Sequence, residues 1–201
     1  YRNGFGPFPA GLKQVPFGDF EALEKAISPN TAAFLVEPIQ GEGGIIVPPE
    51  GYLQKCADLC GKNQVLLICD EVQCGLGRTG KLMAYQHERI QPDGLILGKA
   101  LGGGLLPVSL FLANNDLMSV FTPGDHGSTF GGYPLAASVA KEALDIIVEE
   151  KLSERSQEMG DYFMAGLRRI VSGLDTALVQ DVRGKGLFIG LDMNPKVVGA
   201  R

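Results

Sequence analysis

Apolar residues in this chain fall in short unbroken runs, set between polar and glycine-rich stretches. The runs Ala32 to Val36, Val65 to Cys69 and Leu95 to Leu97 are too short for helices and do not alternate. They predict strands buried on both faces. A fourth run, Val108 to Ala113, follows Pro107 and predicts another strand, as does Gly186 to Leu191. Helical spacing fills much of the rest. Asp19 can cap a short helix through Ile27, with Phe20, Leu23 and Ile27 on one face. A helix over 50–60 carries Leu53, Cys56, Ala57 and Cys60 on one side and is expected to stop at Gly61. Tyr133-Pro134 opens a long helix to about Lys151, with Leu135, Val139, Ala143, Ile146 and Ile147 as its expected core face. Ser153 is expected to cap a further helix to about Ser172, packed through Met159, Phe163, Leu167 and Ile170.

Strands alternating with helices and long connections define an α/β fold with a mostly parallel sheet and flanking helices. In such sheets ligands sit at the carboxyl ends of the strands. The chemically unusual residues gather there: Glu37 to Glu42 after the first strand, Asp70 to Gln73 after the second, and Lys99 after the third.

Composition narrows the classes. The 201 residues bury a sizeable core. A formal net charge of -5 argues against nucleic acid or an anionic membrane as partner. No apolar run is long enough to span a bilayer and no signal-peptide pattern is present. A cytoplasmic setting is expected, with the mitochondrial matrix as the alternative for a eukaryotic source. Cys56, Cys60, Cys69 and Cys74 form no C-x-x-C pair, and His87 and His126 lie far from them in sequence. No metal site is expected, and the cysteines read as buried reduced thiols. The 28 glycines are about twice the usual share of ~7% and cluster in loops, where backbone turns sharply or approaches a ligand. A chain that starts at Tyr1 and stops at Arg201, soon after a strand-like run, is expected to be a piece of a longer polypeptide.

Lys99 is the residue with the sharpest two readings. It is a surface lysine at a strand exit, or an amine with a covalent use, since burial lowers an amine's pKa and the neutral amine forms a Schiff base. A Walker loop is excluded: three residues separate Gly94 from Gly98, and Ala100 replaces the required hydroxyl. Gly75-x-Gly77-x-x-Gly80 matches a dinucleotide fingerprint, but Asp70 and Glu71 just before it would repel a pyrophosphate. A strand-end Asp and a strand-end Lys suit pyridoxal phosphate better, which needs a lysine and a carboxylate at its ring nitrogen. Asp70 and Val72 would share one face of an extended strand, Val72 against the ring whose nitrogen Asp70 holds.

The motifs Val36-Glu37-Pro38-Ile39-Gln40-Gly41-Glu42, Asp70-Glu71-Val72-Gln73, Gly77-Arg78-Thr79-Gly80, Gly98-Lys99-Ala100-Leu101-Gly102-Gly103-Gly104 and Gly127-Ser128-Thr129-Phe130-Gly131-Gly132-Tyr133-Pro134 occur in that order. Together they closely resemble the class III (ω-amino acid) aminotransferases, which are fold type I pyridoxal-phosphate enzymes. The opening Tyr1-x-x-Gly4-Phe5-Gly6-Pro7-Phe8 is most similar to the ornithine branch of that class.

The resemblance implies a large cofactor-binding domain over residues 1–150, lacking its upstream portion, and the start of a small C-terminal domain over 151–201. It implies transfer of the δ-amino group of ornithine to 2-oxoglutarate, giving glutamate semialdehyde and glutamate. Donors such as acetylornithine are the rival reading. A truncated, non-catalytic dimerisation or binding module is the alternative of another class. Lys99 would carry the Schiff base and move the proton. Asp70 would pair with the ring nitrogen of pyridoxal 5'-phosphate, with Val72 on the ring and Gln73 near its 3-oxygen. Ser128 and Thr129 would bind the cofactor phosphate, Thr129 that of the neighbouring subunit, which implies a homodimer. Glu42 would be a substrate gate, paired with an arginine beyond Arg201. Arg78 is expected to be structural and His126 a loop residue. Without the upstream cup and that arginine, the chain alone is expected to show little or no turnover.

Overall fold

Why the site residues share one edge follows from strand direction. In the computed structural model, which describes residues 4–174 and 178–195, four strands form the central sheet. They are β1 (Ala33–Val36), β2 (Leu66–Asp70), β3 (Gly94–Leu97) and β4 (Leu110–Ala113), hydrogen-bonded in that order. β1, β2 and β3 run parallel, with Val36 opposite Cys69 and Asp70 opposite Ile96. Their carboxyl ends therefore point the same way. β4 is antiparallel to β3 and begins with Leu110 opposite Leu97, so the chain reverses through Lys99 rather than crossing over. Tyr1 of the opening motif and residues 196–201 of the expected small domain lie outside the described residues.

One core cluster joins β2 to α1 (Phe20–Ala26) and α2 (Tyr52–Lys62) through Leu23, Leu53, Cys56, Cys60, Leu67 and Cys69. Burying a leucine of this kind contributes about 1.5–3 kcal/mol. Asp19 caps α1 as expected, its Oδ1 accepting from Ala22 N at 2.9 Å. α2 runs past Gly61 to Lys62, because Asn63 and the left-handed Gln64 supply the chain reversal instead. β1 is less buried than its apolar run predicts: it stands at the sheet edge and leaves Leu35 58% exposed.

A second cluster joins Leu97 and Leu101 to α4 (Pro134–Glu149). α4 buries Ala136, Ala140, Ala143 and Ile147, whereas Leu135 and Ile146 of the expected face are exposed. Small side chains let the helix lie close to the short 3₁₀ turn Lys99–Gly102, where Gly103 meets Ala143 Cβ. Between β4 and α4 sits a one-turn helix, α3 (Asn115–Met118), capped by Asn114.

α5 (Leu152–Ser172) repeats the lesson more strongly. Its N-cap is the left-handed Lys151, not Ser153. It buries Ser156, Gly160 and Met164, while Phe163 and Ile170 of the expected stripe are exposed. Its partner is a hairpin of β5 (Val179–Lys185) and β6 (Phe188–Met193), a second sheet separate from the first. β5 did not show in the apolar pattern because its sequence, Val179 to Lys185, is largely polar. Gly186, expected within a strand, is in the hairpin turn. Gly160 presses on that turn: a Cβ there would meet Gly186 O at 2.1 Å. Gly160→Ala is therefore expected to destabilise the fold by about 2–3 kcal/mol, as overpacking between two backbones cannot relax by rotamer change. Urea unfolding of the folded variant measures it, with Gly166→Ala, where a Cβ meets nothing, as the control expected to stabilise by about 0.5–1 kcal/mol.

Candidate active site

β2 ends at Asp70, yet the ladder continues one residue further, Glu71 N donating to Ile96 O at 2.9 Å. The chain then turns. Asp70 Oδ1 accepts from Val72 N at 3.0 Å, and Gly75 N donates to Glu71 O at 3.0 Å. Val72 thus lies in a turn rather than on the extended strand that residue alternation predicts. Its methyl groups nonetheless reach the neighbouring strand end. A Cβ on Gly98 would meet Val72 Cγ1 at 3.3 Å and Cγ2 at 3.5 Å. Val72 is therefore packed beside the residue preceding Lys99, with Asp70 one turn behind it.

Lys99 opens the 3₁₀ turn after β3 with a φ of 47°, a left-handed conformation uncommon for a residue with a side chain. Its side chain is exposed. Burial, which the covalent reading of this lysine invoked, is thus not what distinguishes it. Its distinguishing features are the strained backbone and the position beside Gly98 and Val72.

Glu42 and Gln73 meet across the first two strand ends. Gln73 Nε2 donates to Glu42 Oε1 at 3.2 Å. Gln73 lies across the backbone of Gly41, where a Cβ would meet its Cδ at 2.5 Å, and Glu37 Oε2 accepts from Gly41 N at 2.9 Å. Ser128 and Thr129 stand apart in an exposed segment, where Gly131 N donates to Ser128 O at 3.2 Å. Among the described residues no hydrogen bond ties them to the strand ends. The structure therefore brings Asp70, Val72, Gln73, Glu42 and Lys99 to one edge of the sheet and leaves Ser128 and Thr129 outside that group. Arg78 is exposed; it is its carbonyl, accepting from Ser156 Oγ at 2.8 Å and Leu187 N at 3.0 Å, that does the anchoring. His126 is an exposed loop residue against Phe121.

In the sequence Glu71 stands out only as one of the two acids after the second strand. The structure makes it the most buried carboxylate, with 0% exposure. Its Oε2 accepts from Ala84 N at 2.6 Å and its Oε1 from Tyr85 N at 2.8 Å, capping the 3₁₀ turn Ala84–His87. Burial pushes its pKa up to about 7, against the pull of these two N–H groups. The available signal was strand parity: next to an outward Asp70, Glu71 must face inward. His87 is a second anchor, its Nε2 3.0 Å from Thr79 O and 3.1 Å from Thr79 Oγ1. Burial, with Lys185 nearby, lowers the His87 pKa and favours the neutral ring. The glycines of the dinucleotide-like motif serve packing instead: Gly77 and Gly80 lie against Ser153 and Gln157 of α5. The four cysteines are free and buried, and burial pushes Cys56 and Cys69 up to about 12, which keeps them as inert thiols.

An acidic side chain, an apolar face and an amine thus lie at adjacent carboxyl ends of a parallel sheet, where ligands of such folds sit. The chain belongs to the class-III aminotransferase family, whose model matches residues 1–200. It is 56% identical over 194 residues to the ornithine aminotransferase of Geobacillus sp. (strain WCH70), covering 96% of this chain and 48% of the relative. The Bacillus subtilis ornithine aminotransferase is 53% identical over 193 residues, with 96% and 47% covered. Among solved structures, the ornithine aminotransferase from Toxoplasma gondii, crystallised with oxidised glutathione and with partial occupancy of PLP at its active site, matches with a TM-score of 0.94. Its identity is 47%, over 96% of this chain and 46% of that one. The acetylornithine aminotransferase from Elizabethkingia anophelis matches with a TM-score of 0.89 and 52% identity, over 96% and 48% of the two chains. The chain spans about half the length of the curated relatives it matches. Its α/β fold is the fold type I architecture of these aminotransferases.

The Glu71 carboxyl is protonated more readily in the folded chain than in the unfolded one, where its value is near 4.5. Its contribution to stability is full below about pH 4.5 and is lost as pH rises through about 7. Glu71→Gln removes this term. The stability of the native chain relative to E71Q should therefore fall between pH 4.5 and 7, read by urea unfolding across that range. At low pH the variant is expected to be about 1–3 kcal/mol less stable, because its amide N–H₂ faces a backbone N–H.

Proposed function

We propose that the polypeptide carrying this chain is a pyridoxal-phosphate-dependent aminotransferase that moves the δ-amino group of ornithine to 2-oxoglutarate, giving glutamate semialdehyde and glutamate. The observation that carries the reading is the juxtaposition of Asp70, Val72 and Lys99 at adjacent strand ends, Val72 packed on Gly98, in a chain of this family. The residues present fit the cofactor. Lys99 offers an exposed amine, Val72 an apolar surface, and Asp70 a carboxylate with one oxygen already fixed by Val72 N. When bound, pyridoxal phosphate supplies an electron-accepting ring conjugated to the donor's amine-bearing carbon.

The chain's own residues supply the rest. Lys99 Nζ holds the cofactor covalently at rest. With the cofactor bound, Lys99 Nζ would be the group that takes the proton from the donor's δ-carbon. Asp70 would keep the ring nitrogen protonated, and Gln73 would hydrogen-bond near the ring's 3-oxygen. Glu42 is the donor gate, its carboxylate held by Gln73 Nε2. Ser128 and Thr129 grip the cofactor phosphate, Thr129 across a homodimer interface. The exposure of that loop, with Phe130 79% exposed, and of β4 fits a partner surface. Residues to 150 form the cofactor domain, and α5 with the β5–β6 hairpin opens the small domain. Buried free thiols suit a reducing, cytoplasm-like compartment; among the described residues no helix is long and apolar enough to cross a membrane. A second reading, transfer from acetylornithine, is favoured by the likeness to the Elizabethkingia enzyme.

Two measurements test this on the complete polypeptide. Borohydride reduction after pyridoxal phosphate addition should label the Lys99 peptide alone, and Lys99→Ala should abolish the label. Label scattered over several lysines and unchanged in K99A would remove the lysine assignment. Steady-state kinetics should give ornithine a kcat/KM at least tenfold above acetylornithine; the reverse order would establish the second reading.

A further inference from the structure

Glu42 lies on a tight loop closed by the Gln40–Ile46 bridge. Two residues at its tip have unusual backbones: Gly44 has φ 112° and Ile45 has φ 54°. A β-branched residue in the left-handed region is strained, and such strain persists only where surrounding contacts over-determine it. The contacts come from the hairpin. Arg183 of β5 donates from Nε to Gly44 O at 3.0 Å and to Ile45 O at 3.2 Å, and from Nη2 to Gly44 O at 2.8 Å. Its Nη1 is held by Asp181 at 3.1 Å and Asp192 at 3.2 Å, one carboxylate from each strand. Ile45 also packs on Gly190 of β6. The same hairpin reaches the next loop, its turn residue Leu187 donating to Arg78 O. It therefore touches both loops whose side chains, Glu42 and Gln73, bond to each other.

We propose that Arg183 is a positioning residue for donor selection: its guanidinium, oriented by Asp181 and Asp192, fixes the loop that presents Glu42. The inference rests on the reading of Glu42 as the donor gate. A planar fork is required, because the guanidinium serves two carbonyls on one side and two carboxylates on the other. Lysine keeps the charge but has a single nitrogen and cannot span these partners.

The test uses the complete, cofactor-loaded polypeptide, with R183K, R183A and E42Q. Hydrogen exchange of the amides of residues 43–46 is measured beside kcat/KM for ornithine and for glutamate as α-amino donor. R183K is expected to speed exchange in the loop at least tenfold. It should lower the ornithine-to-glutamate ratio at least tenfold, through KM for ornithine more than through kcat. E42Q should lower the same ratio without speeding exchange. Loop exchange unchanged in folded R183K and R183A would overturn the proposal. So would faster exchange with a ratio unmoved within twofold, provided E42Q moves it. If E42Q leaves the ratio unmoved, the gate reading fails by itself. Loop exchange then decides whether Arg183 positions this loop: faster exchange upholds it, and unchanged exchange overturns it.

Discussion

A carboxylate without solvent is the constraint on which the site depends. Burying an ionisable group costs several kcal/mol unless hydrogen bonds replace its water. Glu71 offsets part of that cost with the N–H groups of Ala84 and Tyr85. In doing so it fixes the path of the chain between β2 and the 3₁₀ turn Ala84–His87. Along that path Leu76 and Met83 enter the second core cluster, Thr79 is buried under His87, and Gln73 is delivered to Glu42. A segment with little regular structure thus behaves as a rigid element. Asp70 and Glu71 are chemically alike and adjacent, yet one is left at the rim for a ligand and the other is consumed by the fold.

Most of the sheet was legible because its strands are apolar runs bounded by breakers, and the α1 cap because Asp19 stands where the pattern begins. The inward face of α5 was not, and that of α4 only in part: Ala143 and Ile147 of its expected face are buried, Leu135 and Ile146 are not. Large apolar side chains mark a buried stripe only when the partner is another layer of large side chains. Here the partners are backbone: a glycine-rich turn for α4 and the Gly186 turn for α5. Close approach selects Ala136, Ala140, Ser156 and Gly160, which a hydropathy pattern counts as weak or neutral. β5 was missed for the opposite reason, since Asp181, Arg183 and Lys185 make a strand look like a loop.

For the site, strand-end position drew attention to Asp70 and Lys99 but left Lys99 open between a surface and a covalent reading, and the ordered motifs brought in Gln73 and Glu42. What stayed hidden was the support. Arg183 lies far along the chain from the loop it holds, and no spacing rule links the two. The alternation argument for Val72 failed at one residue, because the Asp70 side chain bonds Val72 N and bends the strand end. The turn instead swings Val72 toward Gly98 of the neighbouring strand end.

The antiparallel β4 has a further consequence, for the order in which the molecule can assemble. β3 and β4 are joined by a short reversal, so their pairing closes a small loop and loses little chain entropy. β2 and β3 are parallel and must wait for a much longer connection to close. The strained turn at Lys99 is therefore a local product, available early in folding. The alignment of Asp70 with it is a long-range one. The pairing of β2 with β3 is the long-range step that brings Asp70 beside the hairpin carrying Lys99.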